Sequence, residues 1–270
     1  MSTPRIGFIG LGNQGAPIAH RIADAGLPLV VWARRPEALE AFTAKGATTA
    51  ATIAELGAQC DHVGICVLAD ADVIDVCEKL IPAMRAGSRI AIHSTVLPET
   101  CIELARQCAA RGIDLIDAPV SGGAARAETG SLTVMCGADR AVFEAARPIF
   151  ECFGKDIVLL GAVGAGQRAK IINNSLLAAN IALAHGALGA GVALGLDRSA
   201  LAQTIRSSSG YSFGLEVSAA TPSPSDFKGG ALLVKDVRLL EQTLPDDPGA
   251  RALKDAAWPY LAEATGETGA

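Results

Sequence analysis

Residues 5–160 repeat one unit: a short apolar, β-rich run, then a segment of helical length and period. The runs are RIGFIG, LPLVVWA, HVGICVL, SRIAIH, IDLIDAP, LTVMCG and DIVLL. Helical segments between most of them span 14–25, 36–45, 70–80, 98–111 and 139–151. Near-continuous apolar runs suit strands covered on both faces, so these read as buried parallel strands. Strand–helix alternation then constrains this part to an α/β doubly wound sheet. One interruption, APVSGGAARAETG (118–130), reads as a polar, small-residue loop between two strands. The rhythm stops at GAVGAG, near residue 161. Beyond it the chain reads helical: a long helix over about 164–195, another over about 197–208, a Ser/Gly loop, and one over about 229–243. TPSPSD (221–226) reads as a loop, PDDPG (245–249) as a break and the GETGA tail as frayed. The predicted domains are 1–163, an α/β unit, and 164–270, all helical. A chain of 270 residues is long enough to bury a core in each.

Composition excludes several classes of partner. The net charge is −5 and the Lys and Arg residues are scattered, which argues against nucleic acid. The seven cysteines form no CxxC pair and no Cys/His ligand spacing, so no metal is expected. Several lie inside apolar runs such as GICVL, as reduced cysteines do in a cytoplasmic protein. MSTPR runs straight into a strand-like segment and leaves no room for a signal peptide. The one membrane candidate, about 176–196, is rich in Ala and Gly and contains Asn180 and His185. It reads as a buried helix rather than a span, with small residues suited to close packing, including across a subunit interface.

The first strand leads into Gly10-Leu11-Gly12-Asn13-Gln14-Gly15, the G-x-G-x-x-G spacing. Such glycines permit a tight turn, close backbone approach to a pyrophosphate and close helix–strand contact. The phosphates then meet a helix N-terminus. A strand before and an amphipathic helix after supply the context that gives the spacing meaning. The second strand ends V31-W-A-R-R-P36. An acid there would bind the ribose 2′-hydroxyl of NAD; Arg34 and Arg35 suit a 2′-phosphate instead. NADP is therefore the expected cofactor, with NAD possible. Arg34 is the first choice, and a solvated pair is the alternative for both. Other strand ends line the same crevice. Val67 and Leu68 end the third run, and Ser94 and Thr95 either reach the ribose or nicotinamide or cap the helix starting near Pro98. His93 reads as incidental.

Ser121-Gly122-Gly123 offers a hydroxyl and two open backbone N–H groups, either a nest for a small anion or a flexible connection. Lys170 and Asn174 lead into the apolar helix and, four apart, share one face. A buried lysine can have its pKa lowered toward working pH and act as a general base; otherwise it snorkels to solvent.

Four stretches taken in order, FIGLGNQG (8–15), DAPVSGG (117–123), GAGQRAKIINN (164–174) and VKD (234–236), resemble the β-hydroxyacid dehydrogenase family. That group includes 3-hydroxyisobutyrate dehydrogenase and tartronate semialdehyde reductase. The resemblance implies an N-terminal Rossmann domain and an all-α C-terminal domain joined by one long helix. It implies that Lys170 is the catalytic lysine and that Asn174 positions it and the substrate. Ser121, Gly122 and Gly123 would bind the substrate carboxylate, and Lys235 and Asp236 would lie near substrate and cofactor. Tyr211 and Phe213 fall where the family places pocket residues, though aromatics at such spacing are more often core. The chain departs from the family at V67-L-A-D70, which lacks the usual proline, and after Asp236, where it is shorter. The implied activity is interconversion of a small 3-hydroxy acid and its semialdehyde by a homodimer or homotetramer. Alternatives are a serine-type dehydrogenase, an imine reductase of the same fold, and a non-catalytic dinucleotide-binding module.

Overall fold

Strands form where apolar runs are bounded by turn residues, and the helices between them are fixed by apolar faces. The computed structural model describes residues 3–267. The chain divides between Lys170 and Ile171 into two compact units. This division falls inside the long helix, seven residues beyond the boundary read at 163/164, because the helix continues from one unit into the other.

The first unit runs β1 (Ile6–Ile9), α1 (Gly15–Asp24), β2 (Leu29–Trp32), α2 (Glu40–Thr43), β3 (Thr48–Thr49), α3 (Ile53–Gln59) and β4 (His62–Ile65). It continues through α4 (Asp70–Leu80), β5 (Arg89–Ile92), α5 (Pro98–Ala109), β6 (Asp114–Asp117), β7 (Val120–Ser121), α6 (Gly123–Glu128), β8 (Leu132–Gly137), α7 (Arg140–Phe150) and β9 (Gly154–Gly161). The sheet order is β3-β2-β1-β4-β5-β6-β8-β7, with β9 on β8. The first six strands are parallel and take the doubly wound order, which reverses between β1 and β4. A crevice is expected at the carboxyl ends of those two strands. Two cores cover the sheet. One gathers Ile18, Ile22, Phe143 and Phe150 beside Phe8; the other gathers Leu56, Val73, Leu80 and Leu104 beside Ile65.

Three sequence expectations fail in this unit. β8 is antiparallel to β6 and β7, not parallel. A parallel return needs a crossover long enough to recross the sheet. Here the connection is spent on β7, the glycine turn and a six-residue helix. For the same reason 118–130 is not a plain loop. β9, read as buried, is largely exposed and carries Val158 and Leu160 on its open side. The structure also adds α3, whose N-cap Thr52 accepts from Glu55 N at 3.0 Å while Glu55 accepts from Ala51 N at 2.8 Å. This is a reciprocal cap of the kind that starts helices.

The second unit contains α8 (Ala165–Ala193) from Ile171 onward, α9 (Arg198–Arg206), α10 (Phe213–Ala220), α11 (Gly230–Thr243) and α12 (Pro248–Thr265). Ala178, Ile181, Leu233, Val237, Ala257 and Leu261 form its main core. α10 occupies part of the segment read as a Ser/Gly loop, and α12 begins within the segment read as a break. Asp247 caps α12, accepting from Ala250 N at 2.8 Å, and Pro248 occupies the first turn, where its missing N–H costs nothing. Of the tail read as frayed, 268–270 lie outside the described residues.

The long helix is not buried all round, contrary to expectation. It is long and apolar enough to cross a membrane, and 28% of its most apolar stretch is buried. Ile172, Leu176, Leu183, Ala187 and Ala190 are exposed. At 100° per residue they form one apolar stripe.

Candidate active site

The glycine turn after β1 fits a dinucleotide. Gly10 has φ +96°, and a Cβ there would lie 2.2 Å from the Cys66 carbonyl oxygen. A Cβ on Gly15 would lie 1.9 Å from the Gly10 oxygen. Both positions therefore need glycine for the turn itself. Gly12 differs: a Cβ there would meet nothing within 4 Å, so its open side faces space that a pyrophosphate can enter. Ala16 N already donates to Gly12 O at 2.9 Å, closing the first turn of α1. Leu11 is half-buried, Asn13 is exposed, and Gln14 holds a buried Nε2 with no hydrogen-bond partner among the described residues. Buried donors of this kind ordinarily find an acceptor. These residues fit the phosphate-bearing half of NAD(P).

Residues 33–36, directly after β2, include no acid. Arg34 is exposed and donates to Asp72 of α4 at 3.0 Å, and Arg35 opens a single 3₁₀ turn at Pro36–Leu39. Sequence reading missed Asp72 as the partner of Arg34. Leu68 is exposed; Val67 N donates to Ser94 Oγ at 2.8 Å, so Ser94 ties the loop after β4 to the loop after β5. Ser94 does not cap α5. Asp70 instead ties the start of α5 to α4, accepting from Leu97 N at 2.9 Å and Thr100 Oγ1 at 2.7 Å. Thr95 is half-buried in the same loop. His93 is buried with Nδ1 2.9 Å from the Ala118 oxygen, and burial pushes its pKa down to about 4. It stays neutral and packs against Phe153.

The glycine-rich turn after β7 has two consecutive left-handed glycines, Gly122 at φ +130° and Gly123 at φ +70°. At Gly122 a Cβ would lie 2.6 Å from the Arg126 side chain; at Gly123 it would meet nothing. Side-chain-free backbone is thus presented beside Ser121, which pairs with Thr133 of β8.

Lys170 is buried in the second turn of α8, at 8% exposure. The start of that helix is fixed by Asp117, the residue that opens the stretch leading to Ser121. Asp117 is fully buried and accepts from Gly164 N at 2.7 Å and Gln167 N at 2.8 Å. Burial is the dominant influence and raises its carboxyl to about 6; the helix N–H groups oppose it. A Cβ on Gly166 would lie 2.2 Å from Met135 O, so the helix start touches β8 directly. One buried carboxylate therefore anchors both the Ser-Gly-Gly stretch and the lysine-bearing helix.

Asn174 lies one turn beyond Lys170. Its Nδ2 donates to Asp236 Oδ2 at 2.5 Å, and its Oδ1 accepts from Asn173 Nδ2 at 3.1 Å. Lys235 Nζ lies 2.9 Å from Asp236 Oδ1. The sequence grouping of Asn174, Lys235 and Asp236 is thus one cluster in the second unit, joined by the Asn174–Asp236 hydrogen bond and the Lys235–Asp236 ion pair. Tyr211 and Phe213 are exposed, Phe213 at the first position of α10, and neither joins that cluster. Among the described residues no group of His, Cys, Asp and Glu is arranged to hold a metal.

A family model for the NAD binding domain of 6-phosphogluconate dehydrogenase matches residues 5–161. A second, for the NAD-binding domain of NADP-dependent 3-hydroxyisobutyrate dehydrogenase, matches residues 164–253. The mitochondrial 3-hydroxyisobutyrate dehydrogenase of Mus musculus is 33% identical over 251 residues, 88% of this chain and 75% of that protein. Mycobacterium tuberculosis 3-hydroxyisobutyrate dehydrogenase, solved with L-serine, matches with a TM-score of 0.85 at 26% identity, over 98% of this chain and 99% of the other. Psf3, solved with NADP+ and 2-OPP, matches with a TM-score of 0.83 at 25% identity, over 97% of this chain and 99% of that one. With the dinucleotide turn and the buried lysine in place, these matches make the chain a member of the β-hydroxyacid dehydrogenase family, NAD(P)-dependent oxidoreductases acting on CH–OH groups.

Proposed function

We propose that this enzyme interconverts a small 3-hydroxy acid and its semialdehyde, prefers NADP(H), and uses Lys170 as general acid/base. The observation that carries the reading is the burial of Lys170 on a helix anchored by Asp117, which also begins the Ser121-Gly122-Gly123 stretch. When bound, the nicotinamide accepts or returns the hydride of the alcohol carbon. In oxidation, Lys170 Nζ takes the hydroxyl proton as the C–O bond gains double-bond character. In reduction, the Lys170 ammonium returns that proton and stabilises the alkoxide. Ser121 Oγ and the open backbone at Gly122 and Gly123 receive the substrate carboxylate. Asn174, fixed by Asp236, keeps a polar group one turn from the lysine. Arg34 takes the 2′-phosphate, with Asp72 holding the guanidinium in reach. The NADP+ complex of Psf3 supports this preference.

Serine is the second substrate reading, supported by the L-serine bound to the Mycobacterium tuberculosis relative. The exposed stripe of α8 supports assembly as a homo-oligomer, and the free cysteines, most of them buried, support a cytoplasmic location. Nicotinamide absorbance tests the reading. NADP+ is offered with 3-hydroxyisobutyrate, glycerate and L-serine, then NAD+ with each. Turnover of one acid with a preference for NADP+ supports the proposal. Preference for NAD+ removes the arginine assignment, and silence with NADPH still bound favours a non-catalytic module.

A further inference from the structure

Gln167 is fully buried between Asp117 and Lys170, and the family resemblance gives it no role. Its side chain makes two hydrogen bonds to backbone 71 and 73 residues earlier in sequence. Oε1 accepts from Val96 N at 3.1 Å, and Nε2 donates to Ser94 O at 2.8 Å. Both partners belong to the loop after β5, whose Ser94 hydroxyl also accepts from Val67 N. The backbone N–H of Gln167 meanwhile donates to Asp117. Three residues further along the same helix is Lys170. Gln167 therefore joins the loop expected to reach the ribose or nicotinamide of the cofactor to the helix that carries Lys170.

We propose that Gln167 is a positioning residue that sets the register between the Ser94–Val96 loop and Lys170, and so between hydride and proton transfer. This rests on the assignment of Lys170 as acid/base. A two-point amide clamp suits the task because it fixes both separation and rotation, where a single bond would leave a hinge. Reaction rates are sensitive to misplacement of about 1 Å. Both ends of the amide are used, and Cys101 also hydrogen-bonds this side chain; a carboxylate lacks the donor, and an apolar side chain lacks both functions. The ionisable groups around position 167 are Asp117 from β6, Cys101 from α5, and Asp70, which bonds Leu97 beside Val96.

Two variants test this. Gln167→Met keeps volume and removes both bonds; Gln167→Glu restores them only when protonated, since the acid then has one donor and one acceptor. NADPH affinity is read by fluorescence titration, and folding by thermal midpoint. The kinetic substrate is 3-hydroxyisobutyrate or L-serine, whichever the unsubstituted enzyme turns over. Gln167→Met is expected to lower kcat about 10- to 100-fold while the Kd for NADPH stays within about threefold. Gln167→Glu is expected to exceed Gln167→Met in kcat at mildly acid pH, approaching the unsubstituted enzyme. If Gln167→Met folds and keeps kcat, or if Gln167→Glu does no better than Gln167→Met in acid, the inference fails while the Lys170 assignment stands. An unsubstituted enzyme that binds NADPH but turns over neither acid overturns both.

Discussion

Asp117 sets two physical effects against each other, and the outcome is measurable. Its carboxylate caps the N-terminus of α8, where helix N–H groups favour a negative charge. It is also fully buried, which disfavours that charge. Burial wins, raising the carboxyl from 3.8 to about 6. Because the folded value exceeds the unfolded one, the folded state holds the extra proton. The stabilising contribution is therefore full below about pH 4 and is lost as pH rises through about 6. At about 1.4 kcal/mol per pH unit of difference, the contribution is about 3 kcal/mol. Asp117→Asn removes the titration and turns one acceptor toward the helix into a donor, costing about 1–3 kcal/mol at neutral pH. Urea unfolding of the unsubstituted protein and of Asp117→Asn from pH 4 to 7 reads the difference. A Trp258→Phe background leaves Trp32 as the tryptophan reporting on the first unit. The stability gap between the unsubstituted protein and the Asp117→Asn variant should widen by about 2–3 kcal/mol as pH falls from 7 to 4. A gap that stays flat or narrows would mean that the helix N–H groups outweigh burial, and the reasoning would be refuted.

Other expectations follow from the cofactor turn. Gly12→Ala should leave the thermal midpoint nearly unchanged, because the new methyl meets no protein atom, yet weaken NADPH binding at least about 10-fold. Gly15→Ala should lower the midpoint sharply, because its methyl would collide with the Gly10 oxygen; equal effects on stability at both positions would contradict the distinction. Arg34→Ala should raise the Kd for NADPH by about 10- to 100-fold while leaving NADH within about threefold, as loss of a charge-assisted bond to a 2′-phosphate requires. Parallel losses for both cofactors, measured by fluorescence titration, would remove the assignment.

The parts of this protein that depend on local spacing could be read from sequence. The glycine turn, the α4 span at 70–80 and the four-residue step from Lys170 to Asn174 each need only near neighbours. The parts that depend on distant partners could not. Nothing around Gln167 announces that its amide meets Ser94 and Val96, and nothing around Asp117 announces the helix 47 residues away that it caps. A polar residue closing the apolar run IDLID was the available signal for Asp117. The antiparallel turn of β8 escaped because LTVMCG is apolar enough for either direction. α10 was hidden by the serines and glycine before it, and its first residue, Phe213, proves exposed. The buried reading of α8 missed its stripe because alanine and glycine blur the contrast between faces.

The central claim is that Lys170 moves the proton that accompanies hydride transfer. The most direct measurement is single-turnover reduction of the cofactor by Lys170→Met, beside its NADPH affinity by fluorescence titration. The account predicts a rate lowered by about 10²- to 10⁴-fold with affinity within about threefold. A Lys170→Met protein that binds NADPH normally and keeps most of its rate would contradict it.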